Sequence, residues 1–142
     1  GEVFSKNNML DYAEKFYLKS INLMSYVIDY KNKYGSFLLN NNRVDDAKDV
    51  YLNALSLNPT IKEIHANLGL ISIIKEEYQL AEIFLKQAIA LDPDYLLAYE
   101  NLLVLSQKIN DSKATRLYLQ KILNINPQHK LKRLQENYTI EK

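Results

Sequence analysis

The sequence predicts an all-α fold of stacked antiparallel helix pairs, and three observations carry that prediction. Proline occurs only at positions 59, 93 and 127, evenly spaced and always after an Asn or Asp. The stretches leading to these prolines align without a gap: 54–59 reads ALSLNP, 88–93 reads AIALDP and 122–127 reads ILNINP. With three glycines and three prolines in 142 residues, little turn-forming material remains, so most of the chain must be helical. Self-similarity at a period of this length marks repeat units that each bury too little alone and must stack into a continuous core.

Four units follow in order. Residues 1–27 form a truncated unit: Gly1, Ala13, Tyr17, Ser20 and Leu23 stand at repeat positions, and Ser25 replaces the proline. Residues 28–61 carry Gly35, Ala47, Tyr51, Ala54, Leu57 and Pro59; residues 62–95 carry Gly69, Ala81, Leu85, Ala88, Leu91 and Pro93. Residues 96–129 are degenerate, with Leu103 and Thr115 departing but Leu119, Ile122, Ile125 and Pro127 in place.

Within a unit the apolar spacing reads as two helices. Ile64, Leu68, Ile71 and Ile74 recur at helical intervals, as do Leu80, Phe84, Ala88 and Leu91. Thr60 and Glu63 have capping-box spacing, which predicts a helix start just after Pro59, and Asp94 is expected to cap the next helix. Turns are expected at 40–43, 75–77 and 110–112. The acidic pairs Asp45-Asp46 and Glu76-Glu77 are expected at helix starts, where they favour the macrodipole. After Pro127, Leu131, Leu134 and Tyr138 predict a covering helix within 130–142.

Composition excludes several function classes. A net charge of +1 provides no electrostatic footprint for nucleic acid, and the basic cluster 129–133 is read as a solvated helix face. Zero cysteines remove disulfide and thiolate chemistry and leave the compartment open, with the cytoplasm slightly favoured. No apolar run is long enough for a membrane span. His65 and His129 stand far apart in the sequence, without Cys, Asp or Glu at ligand spacing, so both are expected to pack rather than bind metal. No phosphate loop, nucleophile elbow or zinc-protease motif occurs, so no enzyme activity and no cofactor is expected.

The residues Leu68, Gly69 and Ser72 with Ala81, Leu85, Ala88 and Pro93 resemble the tetratricopeptide repeat, as do Tyr34 and Gly35 with Ala47, Tyr51, Ala54 and Pro59. The likeness extends over about residues 1–127. It implies a right-handed superhelix of antiparallel helix pairs, an α-solenoid of about three and a half repeats plus a covering helix. The first helix of each pair would line a concave groove that binds a peptide or helical segment of a partner protein. Carried onto this chain, the groove would be lined by Asn32, Lys33 and Ser36, then Asn67, Leu70 and Ile74, then Leu97, Asn101 and Val104.

A second register, Asn67, Asn101 and Gln135, repeats at the same interval as the prolines. Carboxamides both donate and accept, so such a ladder could hold an extended backbone without reading its side chains. It resembles the asparagine ladder of O-GlcNAc transferases, although Asn is abundant here. The carboxylate clamp of chaperone-binding relatives is not expected, because Asn32, Ser36, Leu97 and Asn101 supply no cation at its places. The apolar residues Leu70, Ile74, Leu97 and Val104 point either to a groove for an apolar segment or to ordinary core packing. The expected role is a protein-interaction scaffold. The alternatives are the substrate-recognition arm of a larger enzyme such as a glycosyltransferase, and a module that self-assembles, as a homodimer, through its incomplete first unit.

Overall fold

The computed structural model describes residues 6–135. Six helices, α1 (Lys6–Asn40), α2 (Val44–Leu57), α3 (Lys62–Ile74), α4 (Tyr78–Leu91), α5 (Leu96–Lys108) and α6 (Ser112–Ile125), are followed by a helical turn at 132–135. Among the described residues there is no strand, and no helix is long and apolar enough to cross a membrane. Each helix packs on its successor, and α3 also meets α5, so pairs stack as an all-α solenoid.

One turn chemistry closes the first helix of every pair. Asn42, Glu76 and Asn110, one repeat period apart in turn, have φ of 61°, 61° and 58°. A residue in this left-handed conformation stops a helix while the next amide reaches back to an orphan carbonyl. Here Arg43 N–H donates to Leu38 O (2.9 Å), Glu77 to Ser72 O (2.8 Å) and Asp111 to Ser106 O (2.9 Å). Glu76 therefore closes α3 instead of opening α4, contrary to the expectation for the Glu76-Glu77 pair, whereas Asp45 and Asp46 do sit in the first turn of α2.

A second chemistry turns the chain between units and explains why each proline follows an Asn or Asp. Asn58 Oδ1 accepts from the Thr60 amide (3.0 Å), Asp92 Oδ1 from the Asp94 amide (3.1 Å) and Asn126 Oδ1 from the Gln128 amide (3.2 Å). These side-chain turns hold the chain extended while proline blocks the helix. The capping box does not form, because the Thr60 hydroxyl is bonded to Asn58 Oδ1 at 2.6 Å and α3 starts after Ile61 without a side-chain cap. Asp94 likewise leaves α5 uncapped, the flanking residue being Tyr95. Six residues after the first two prolines, the following helix clamps the proline carbonyl: His65 Nε2 donates to Pro59 O (2.7 Å) and the Tyr99 hydroxyl to Pro93 O (2.8 Å).

Small residues set how closely a pair packs. A Cβ placed on Gly35 would lie 2.5 Å from the Tyr51 ring, and one on Gly69 would lie 2.6 Å from Leu85 Cγ. Both partners are fully buried, so neither can move aside without opening a void. Ala47, Ala54, Ala81 and Ala88 are also fully buried. In the third pair, Leu103 takes the glycine register and joins the core with Leu119, while Thr115 Oγ1 pairs with Ser106 Oγ at 2.8 Å. The helix α3 joins the two core clusters: Ile64, Leu68 and Ile71 pack with α2, and Ala66 and Ile73 with the α4–α6 core.

Two sequence boundaries read differently. The break expected near Ser25 between units 1–27 and 28–61 is absent, because α1 runs unbroken for 35 residues. Met24-Ser25 supplies neither the Asx acceptor nor the proline that turns the chain elsewhere. In the predicted covering segment, Leu131 and Leu134 pack against the core, while Tyr138 and the remainder to 142 lie outside the described residues, as does Gly1.

Candidate functional site

The candidate site is the face shared by the first helices, the C-terminal half of α1 with α3 and α5. Helical periodicity divides each of these helices into faces. On α3, Ile64, Leu68 and Ile71 meet the preceding pair, Gly69 meets the Leu85 of its own pair, and Ala66 and Ile73 join the α5 side. Asn67, Leu70 and Ile74 occupy the remaining face, set apart from all three.

The structure brings the carboxamides of adjacent first helices together. Asn67 Nδ2 donates to Asn32 Oδ1 at 3.2 Å, and Asn101 Nδ2 donates to Ala66 O at 3.3 Å. Asn67 and Asn32 are half-buried, whereas Asn101 is 6% exposed, so its amide ties α5 to α3 from inside the stack. Gln135 leaves this pattern: its Nε2 donates to Gln120 Oε1 on α6 at 3.0 Å, away from the first-helix neighbour its register would give it.

The other predicted residues divide by exposure. Ser36 Oγ pairs with the Tyr51 hydroxyl at 3.0 Å, the same hydroxyl that lies 3.5 Å from Asn32 O. Burial pushes the Tyr51 pKa up, so it remains a neutral hydroxyl there. Lys33 is exposed and held by Asp29 at 3.0 Å. Leu70 is half-buried, and Leu97 is half-buried against the α4–α6 core, so part of the apolar set is shared with packing. Ile74 at 51% and Val104 at 37% are exposed and hold no place in either core cluster.

A cavity of about 330 Å³ opens at one end of this face, between Ser25, Ile28, Asp29 and Asn32 of α1 and Asn58, Ile61 and Glu63 at the entry to α3. Its ionisable residues, Asp29 and Glu63, are both acidic. Nearby, Lys62 reaches Asp92 at 2.6 Å and lies over the Tyr95 ring at 4.8 Å. The hydrogen bond to Asp92 raises the Lys62 pKa, and the same bond lowers that of Asp92. Burial, reinforced by the carboxylates of Glu63 and Asp92, pushes the Tyr95 hydroxyl up to about 12. The cation nearest the cavity on α3 is thus already neutralised within the fold.

The two histidines are built into the frame. His65 is buried on the Pro59 carbonyl with its ring 6.3 Å from that of Phe84. His129 is also buried: its Nδ1 accepts from the Leu131 amide at 3.1 Å, leaving Nε2–H to donate to Glu100 at 3.0 Å. That corrects the reading of 129–133 as a wholly solvated face. Sequence reasoning also missed Ser25, Ile28, Asp29 and Glu63 as a cavity lining, because their approach depends on how α1 lies beside α3. The available signal was the place of Asp29 one turn before Lys33, the spacing of the ion pair that the two form.

Comparison with known proteins agrees with this architecture. The tetratricopeptide-repeat family model matches residues 28–61 and 62–95. No curated protein matches the chain in sequence. Among solved structures, the first tetratricopeptide domain of Spaghetti (RPAP3), bound to the HSP90 peptide SRMEEVD, is 15% identical with a TM-score of 0.74. The match covers 82% of this chain and 94% of that one. The Arabidopsis OM64 tetratricopeptide domain is 17% identical with a TM-score of 0.75, over 83% of this chain and 98% of that one. The Thermobaculum terrenum O-GlcNAc transferase is 21% identical with a TM-score of 0.71, over 75% of this chain but 20% of that one. Residues 28–95 thus match the tetratricopeptide-repeat family model as two adjacent repeats, and the same helix-pair plan continues through α5 and α6.

Proposed function

We propose that the chain is a protein-interaction scaffold that holds a peptide or helical segment of a partner along the first-helix face. The observation that carries this reading is the placement of Ile74 and Val104, apolar, exposed and outside both cores, beside the half-buried carboxamides Asn32 and Asn67. Such a surface offers apolar contact together with backbone-directed hydrogen bonds, the combination a bound segment uses. Lys33, Ser36, Leu70, Leu97, Asn101 and Gln135 complete the proposed set. Asn101 acts chiefly by fixing the spacing of α3 and α5.

The partner segment differs in chemistry from the acidic chaperone peptides named with the structural neighbours. At the places where an acidic tail would need cations, this face carries Asn32, Ser36 and Leu97, Lys33 is paired with Asp29, and the cavity presents Asp29 and Glu63. A neutral or basic segment with apolar residues fits this charge pattern. The test is selection of binding segments from a random peptide library, followed by titration of the best against variants. Ile74→Asp and Asn67→Ala are expected to weaken binding at least tenfold while circular dichroism stays unchanged. Segments that bind equally well to both variants, or that are uniformly acidic, would overturn the reading.

A second reading, the recognition arm of a larger enzyme, draws on the likeness to one fifth of an O-GlcNAc transferase and on the carboxamide register. A catalytic domain encoded in the same reading frame would establish it, and a frame without one would remove it.

A further inference from the structure

The long helix α1 carries two surfaces that an ordinary repeat array would press together. In unit 62–95, Ile64, Leu68 and Ile71 are 0–1% exposed beneath the preceding second helix, α2. In unit 96–129, Ala98, Leu102 and Leu105 are likewise buried. One period earlier these places are Tyr30, Tyr34 and Phe37, exposed by 61%, 40% and 59%. The segment that would cover them is 13–24, whose Ala13, Tyr17 and Ser20 repeat the Ala47, Tyr51 and Ala54 of α2. Because Met24-Ser25 makes no turn, that segment continues straight on as helix and cannot reach the face it matches.

Six of the exposed apolar residues of α1 form one seam, while Tyr17, Leu18, Met24 and Tyr26, also exposed, stand outside it. Tyr12, Phe16, Leu23, Tyr30, Tyr34 and Phe37 follow one another at helical intervals with Ser20 and Val27 in the gaps. Beyond the first turn the steps are threes and fours, the spacing that keeps one stripe facing a partner helix over about 37 Å. The pattern is also symmetric about Ser25: Phe16 and Tyr34 stand equally far to either side, as do Leu23 and Val27. A second α1 laid antiparallel therefore sets Phe16 against Tyr34 and Leu23 against Val27, and then repeats both contacts by two-fold symmetry. The ion pairs Lys15–Asp11 and Lys33–Asp29 stand to one side of the stripe.

We propose that two copies of the chain pair through α1, each laying its 12–24 segment on the Tyr30, Tyr34 and Phe37 face of the other. Each copy covers with its own stripe the face that helix continuity leaves open on the other. The second copy is the occupant because the missing complement to each half of the seam is the other half of the same seam. Six large side chains with on the order of 100 Å² exposed apiece bring the contact near the ~800 Å² per partner of a stable interface. The seam is centred about a quarter-turn around α1 from Lys33 and Ser36, so the first-helix face stays a separate surface.

Light scattering over a concentration series should show a mass twice the 16.6 kDa of the chain. Tyr34→Asp should weaken pairing at least tenfold with α2–α6 intact by circular dichroism. Ser25→Pro restores the turn residue of the other units and should release monomers, with the 12–24 segment folded back on its own chain. The absence of cysteine allows a further check, mixing Phe16→Cys chains with Tyr34→Cys chains. Under oxidation these should form a disulfide between copies, which needs the two Cβ atoms to meet at about 4 Å. A strict monomer at all concentrations, a dimer unaffected by Ser25→Pro, or no disulfide between the mixed chains would each overturn the pairing.

Discussion

Glu76 occupies a backbone conformation that suits few side chains. At the same place in the neighbouring units stand Asn42 and Asn110, also with positive φ. Asn tolerates this region because its short side chain bonds locally, whereas other L residues pay about 1–2 kcal/mol there. Glu76→Asn is therefore expected to raise stability by roughly 0.5–1 kcal/mol, read as a higher midpoint in urea at unchanged slope. The turns at 75–77 and 110–112 were legible from polar composition. The identity of the left-handed residue was not, because Glu76 breaks the Asn pattern that would have revealed it.

At the scale of the element, the helix pair depends on the absence of a side chain at one position. Gly69 sits inside a helix, where alanine would be favoured by about 0.8–1 kcal/mol. The added Cβ would meet Leu85 Cγ at 2.6 Å, and overpacking of a closed core costs about 1–3 kcal/mol. The packing term wins, so Gly69→Ala should lower the melting temperature. In the double variant with Leu85→Ala the losses should fall short of their sum, since the second change removes the atoms the first collides with. The glycine register was plain in the sequence. What it allows, close approach of Tyr51 or Leu85, was legible only in outline, and the Leu103 of the third pair shows that the same register accepts a large residue when its neighbours differ.

At the scale of the molecule, the described residues hold two core clusters joined through α3, so stability should be distributed along the stack rather than concentrated. Leu119→Ala removes a fully packed side chain from the α4–α6 cluster, at a cost of about 2–5 kcal/mol. Hydrogen exchange should then show α5 and α6 losing amide protection first, with α2 and the α2-facing side of α3 retaining most of theirs. Uniform loss across all helices would mean the array opens as a single cooperative unit.

The sequence by itself determined the repeat: its length, its helix pairs, the proline corners and the small-residue register, because each is a local constraint restated in every unit. Tertiary structure decided what happens where the restatement fails. Met24-Ser25 lacks the Asx acceptor and the proline, and a helix with nothing to stop it continues through the expected boundary. It also decided the use of the carboxamides: one spacing led Asn67 to Asn32, Asn101 to a buried carbonyl, and Gln135 to α6. Periodicity places a side chain on a face of its helix. Which neighbour that face meets depends on how the helices lie against one another, and no single repeat contains that information.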